Sequence, residues 1–79
     1  MILPISRKAW DLLIGVSGFH VPLHEVQNWS VEAEGELVTA GLLISYIQEG
    51  QPFLSVTGRG ESQLQEWLAG EVDLDELKA

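Results

Sequence analysis

Residues 37–60 read LVTAGLLISYIQEGQPFLSVTGRG, and the changes of pattern inside them set the architecture. Leu37–Ala40 closes a helical stretch, and Gly41 is its natural stop, because the residue after a helix often turns left-handed. From Leu42, the residues Ile44 and Tyr46 alternate with Leu43, Ser45 and Ile47, a strand pattern that reaches Gln48. Glu49-Gly50-Gln51-Pro52 is a turn signal. Phe53–Val56 returns as a second strand, with Phe53 and Ser55 on one face and Leu54 and Val56 on the other. Two such strands pair as an antiparallel hairpin, with Tyr46 and Phe53 as a cross-strand pair. Thr57 can cap a following helix, although Gly58 and Gly60 predict a loose first turn.

Downstream, Leu64, Trp67 and Leu68 recur at helical spacing and predict the buried stripe of that last helix, which Gly70 ends. Residues 71–79, EVDLDELKA, read as an acidic C-terminal tail to a single domain over residues 1–70. Upstream, Ser6 is an N-cap for a first helix from Arg7 to Val16, with Trp10, Leu13 and Ile14 as its core stripe. Phe19–Val21 is a short extended link. Pro22 suits the first turn of a second helix running to about Trp29, with Leu23 and Val26 on one face. Asn28 or Ser30 caps a third helix over residues 31–40. Gly35 weakens that helix by about 1 kcal/mol relative to alanine, so a later start near Glu34 is the competing expectation.

The 79 residues support one small domain with a thin core, and the 46% hydrophobic content suffices for folding. With no cysteine, neither a disulfide nor a thiolate metal site can brace it. Apolar residues precede Arg7 and Lys8, the reverse of a signal peptide. Leu12–Val16 and Ala40–Ile44 are far shorter than the roughly 20 residues of a membrane span. These features predict a soluble, cytoplasmic chain. Twelve acidic against four basic residues give a net charge of −8, which repels nucleic acid and suits a basic partner.

Helix, helix, helix, hairpin, helix is an order that resembles the winged helix-turn-helix superfamily. The likeness is carried by Leu37, three spacer residues and Gly41-Leu42-Leu43 at the close of the third helix. A Thr-x-x-Gly turn, Thr57 to Gly60, continues it after the second strand. It covers roughly residues 6–69 and implies an α+β fold with three helices, a two-stranded antiparallel wing hairpin and a C-terminal helix. It also implies a third helix that enters the DNA major groove and a wing that touches the backbone.

The residues in those places do not suit that use. The third helix carries Glu32, Glu34 and Glu36 and no cation, and the wing tip carries Glu49. Affinity for duplex DNA comes largely from lysine and arginine neutralising phosphates. Glu32, Glu34, Glu36 and Glu49 are therefore the expected partner-binding surface, with carboxylates standing in for phosphates. The competing expectation is a solvated acidic face. Trp29, at the joint of two helices, is the expected exposed anchor beside that surface, whereas Trp10 and Trp67 belong to the core. A DNA-binding regulator would have to grip through Arg7, Lys8 and Arg59.

Other chemistry finds little support. His20 and His24 with Glu25 make a poor metal set, because Pro22 lies between the imidazoles and no thiolate is present. Gly58-Arg59-Gly60 is too short for a phosphate loop. No Ser–His–Asp spacing suggests an enzyme, and neither a cofactor nor a metal is expected. The residues favour a non-enzymatic inhibitor or adaptor, of a kind encoded by phages and mobile elements, that engages a basic site on a larger protein. The main alternative is a winged helix transcriptional regulator. A homodimerisation module using Trp29 and the acidic tail is a third reading.

Overall fold

The computed structural model describes residues 4–18 and 20–70. The acidic tail at residues 71–79, with Lys78 in it, and Phe19 of the expected link lie outside the described residues. The described residues form an α+β fold with three α-helices, one 3-10 turn and a three-stranded antiparallel sheet in the order β1-β3-β2.

Helix α1 (Arg7–Val16) begins where Ser6 accepts a hydrogen bond from the Ala9 N–H, as its cap position requires. Its buried side chains are Ala9, Trp10, Leu12, Leu13 and Val16, while Ile14, expected in the core stripe, is exposed. Helix α2 (Val31–Thr39) is capped by Ser30 at full length, so residues 30–34 do not form the alternative loop. Gly41 takes φ +78 after it, the Gly41 N–H donates to the Val38 carbonyl and the Leu42 N–H to the Leu37 carbonyl. Those two bonds satisfy carbonyls that the helix end would otherwise leave open.

β2 (Leu43–Gln48) and β3 (Gln51–Val56) form the expected hairpin, with Tyr46 directly opposite Phe53. The turn is tighter than the sequence suggests. Only Glu49 and Gly50 lie outside the strands, both at positive φ (52° and 79°), the geometry of a two-residue turn whose twist matches the strands. Gln51 and Pro52 already belong to β3. A proline is tolerated there because Pro52 pairs with Ile47 at a position whose N–H points away from β2.

Two expectations upstream are corrected. The extended link becomes a third strand, β1 (His20–Pro22), which pairs with β3 through Val21 and Leu54. The sheet therefore has three strands and not two. The second helix shrinks to one 3-10 turn, Leu23–Glu25, after which Val26 is extended. Pairing with β3 holds residues 20–22 extended, and Leu23 and Val26 reach the core from irregular backbone instead of from a helical stripe.

Helix α3 (Gly58–Ala69) is capped by Thr57, and its first turn is tight, against expectation. The Thr57 N–H donates to the Leu42 carbonyl, the Thr57 hydroxyl donates to the Gly41 carbonyl, and the Gly60 N–H donates back to that hydroxyl. Gly60 is buried, and a Cβ there would overlap the Leu42 carbonyl oxygen and stand 2.6 Å from a Val56 methyl. A residue that costs helix propensity is thus required by close approach. Leu64 and Trp67 face inward, while Leu68 is 54% exposed, a further departure from the expected stripe. The core is the leucine-rich space between the helices and one sheet face: Leu12, Leu13, Leu37, Leu43 and Leu54 are essentially inaccessible. Each contributes about 2 kcal/mol through burial, before its ordering cost.

Candidate protein-binding surface

Ala33 and Leu37, four residues apart, turn α2 toward the core. At about 100° per residue, the opposite ridge is formed by Val31, Gly35, Val38 and Thr39. All four are exposed, and none is charged. The glutamates flank this ridge, with Glu32 and Glu36 on one side and Glu34 roughly 160° around the helix from both. The three expected carboxylates do not make one face.

Their partners differ as well. Glu36 is half-buried and occupied. One of its oxygens accepts the Ser6 backbone N–H at 2.7 Å, and the other accepts the Ser6 hydroxyl at 2.8 Å. The same hydroxyl accepts the Ala9 N–H, so Glu36 fixes the cap of α1 from 30 residues away and places a carboxylate at that helix's positive end. Glu34 accepts a 2.8 Å hydrogen bond from the Trp29 indole N–H. Glu32 is exposed, and no hydrogen bond or ion pair engages it among the described residues. Glu49 is exposed at the hairpin tip, the full length of β2 beyond the end of α2, or about 20 Å at 3.3 Å per residue. It is a separate point and not part of a cluster.

Trp29 is 38% exposed, whereas Trp10 and Trp67 are buried. The bond to Glu34 holds its ring against the start of α2, beside Val31, which is 69% exposed. Lys8, Asp11, Asn28, Trp29 and Ser30 border a shallow depression of about 210 Å³ there. The start of α2 thus combines an oriented aromatic ring, an exposed valine and two carboxylates.

The cations named for the alternative reading sit on two helices, α1 and α3. Arg7 donates to Asp11 at 3.2 Å on the exposed side of α1, and Lys8 borders the Trp29 depression. Arg59 packs beside Gly41 at the start of α3. Two residues on, Glu61 accepts the Gly18 N–H just past the end of α1.

On the outer sheet face the expected Tyr46–Phe53 pair is joined by His20, which the sequence did not place there. Tyr46 stacks on Phe53 (centroids 5.7 Å apart, planes at 18°), and its hydroxyl is 2.8 Å from His20 Nδ1. For His20 the sequence offered no signal beyond its place two residues before Pro22, in a strand too short to show alternation. His24 lies apart, 3.8 Å from Glu25 on the 3-10 turn, so the two histidines do not converge. Among the described residues, no group of three or more His, Asp or Glu side chains could hold a metal ion, and no helix is long and apolar enough to cross a membrane. Depressions of about 270 and 160 Å³, elsewhere on the surface, fall below the roughly 300 Å³ at which ligand pockets begin. No family model, no curated protein and no solved structure matches the chain.

Proposed function

We propose that this chain is a non-enzymatic, winged-helix-like protein-binding module, an inhibitor or adaptor that engages a basic site on a larger protein. The order of elements and the antiparallel sheet are compatible with a small winged-helix-like fold. The observation that carries the reading is the solvent side of α2, where Val31 and Val38 are flanked by Glu32 on one side and Glu34 on the other, with no cation on the helix. A helix offered in this way to a phosphate-lined groove is repelled, whereas a groove lined with lysine and arginine attracts it. Trp29, Glu32 and Glu34 form the contact centre. Glu49 at the hairpin tip is a second contact, and Glu36 contributes structure instead. A carboxylate surface of this kind can occupy a site that otherwise holds nucleic acid.

The test is capture of host proteins by the wild type and by a Glu32→Gln/Glu34→Gln double variant, with Glu36 left intact so that folding is preserved. Loss of a basic partner from the double variant is the expected result. An unchanged set of captured proteins overturns the proposal.

The element order alone favours the second reading, a winged helix DNA-binding regulator acting through Arg7, Lys8 and Arg59. Binding to random duplex DNA at about 50 mM salt, weakening steeply as salt rises, would establish it in place of the first.

A further inference from the structure

The two edges of the sheet are finished differently. The two-residue turn makes Gln48–Gln51 a hydrogen-bonded pair, and strict alternation then assigns Tyr46–Phe53 and Ile44–Ser55 to the same class. The Thr57 N–H bond to the Leu42 carbonyl, one step beyond the strands, falls in this phase. Leu43, Ser45 and Ile47 therefore occupy the intervening pairs, and their N–H and C=O groups point away from β3. Among the described residues, no backbone bond from another element reaches Ser45 or Ile47.

Natural sheets blunt such edges with shortness, charge, proline or a bulge. β1 uses two of these devices. It has three residues, and Pro22 stands where its absent N–H would have faced outward. β2 uses none: LISYIQ is six residues long, uncharged and free of proline, and it pairs with β3 without a bulge. Ile44 and Ile47 are 47% and 70% exposed along it.

We infer that the β2 edge is an interaction surface for a second copy of this chain, with β2 pairing antiparallel to its twin about a two-fold axis to give one six-stranded sheet. A two-fold interface must be self-complementary, and this strand is. Leu43 and Ile47 flank Ser45 with branched apolar side chains of equal size, and Ile44 and Tyr46 flank it with large ones. Pairing centred on Ser45 places Ser45 opposite Ser45, Leu43 opposite Ile47 and Ile44 opposite Tyr46. It also matches outward-pointing backbone groups with outward-pointing groups along the whole stretch. Both exposed isoleucines gain an apolar neighbour. An uncharged strip on a chain of net charge −8 offers nothing to attract a charged peptide strand, whereas it fits its own copy. Each Glu49 lies beyond the paired residues, at opposite ends of the joint.

A single strand edge is small beside the roughly 1,200 Å² of a stable interface, so dissociation in the micromolar range is expected. Repulsion between two acidic chains adds a signature, because salt screens it and strengthens the dimer. Salt has the opposite effect on a DNA complex.

Sedimentation of the whole chain from about 1 to 500 µM, at low and high salt, tests the inference. The expected result is a rise from 8.7 kDa toward twice that mass, reached at lower concentration when salt is high. Ile47→Lys puts a charge on an exposed edge position, and Ser45→Pro removes an N–H that the internal ladder does not use. Both are expected to stay monomeric at concentrations where the wild type is dimeric, and Ile47→Lys to keep the wild-type melting curve at concentrations where both are monomeric. Amide exchange at Ser45 and Ile47 should slow as concentration rises in the wild type alone. A wild type that remains monomeric at the highest concentration and salt overturns the inference. So does growth beyond a dimer, association that Ile47→Lys leaves intact, or pairing of the β2 edge with a foreign strand while the chain alone stays monomeric.

Discussion

α2 and α3 open with the same chemistry in opposite surroundings. Ser30 and Thr57 each accept a hydrogen bond from an N–H in the first turn. Around Thr57 the cap is also bonded to Gly41 and Leu42 at the base of the hairpin, and Gly60 fits flush against the Leu42 carbonyl. Around Ser30 there is an exposed tryptophan, an exposed valine and two carboxylates outside the core. One helix start is committed to holding the fold together, and the other leaves large side chains exposed. A cap residue identifies where a helix begins, but only its neighbours reveal whether that place is interior or surface.

Five substitutions probe this contrast. Gly60→Ala is expected to have the largest effect, because its methyl group meets backbone that cannot move aside; a loss of about 3 kcal/mol or more in urea unfolding is expected. A loss below about 1 kcal/mol would mean that the α3 start is looser than described. Glu36→Ala removes two partly buried bonds from Ser6 and is expected to cost about 2 kcal/mol, whereas Glu32→Ala should stay within about 0.5 kcal/mol. Equal effects from the two would erase the distinction between structural and free carboxylates on α2. Trp29→Ala is expected to change stability by less than about 1 kcal/mol in thermal melts while abolishing capture of the basic partner. Glu49→Asn relieves a left-handed glutamate in the hairpin turn and is expected to stabilise by about 0.5 kcal/mol, which a paired melt would detect.

Helix starts, the helix-three stop and the hairpin were legible because each rests on local chemistry. Ser6, Ser30 and Thr57 all cap as their side chains suggest, and Gly41 turns where it should. What was not legible depends on distant partners. β1 is three residues ending in proline, too short for alternation, and only β3 makes it a strand. The supposed second helix had suitable spacing at Leu23 and Val26, but tertiary contacts use both residues from extended or single-turn backbone. Ile14 and Leu68 match helical stripes and are still exposed, since no element among the described residues covers them. Glu32, Glu34 and Glu36 look equivalent in the sequence, and only Ser6 and Trp29, folded beside them, divide their roles.

The two-residue turn has a consequence for how the molecule assembles. Gln48 and Gln51 meet after closing almost no chain, so the β2–β3 ribbon can zip on the microsecond scale of an isolated hairpin. Pro22 and Phe53 must instead be brought together across roughly 30 residues, at a larger entropic cost. These costs predict that the central strand acquires its two neighbours at different times, β2 early as a local nucleus and β1 late. An edge that forms first, before the helices cover the opposite sheet face, has the longest opportunity to meet other chains during synthesis.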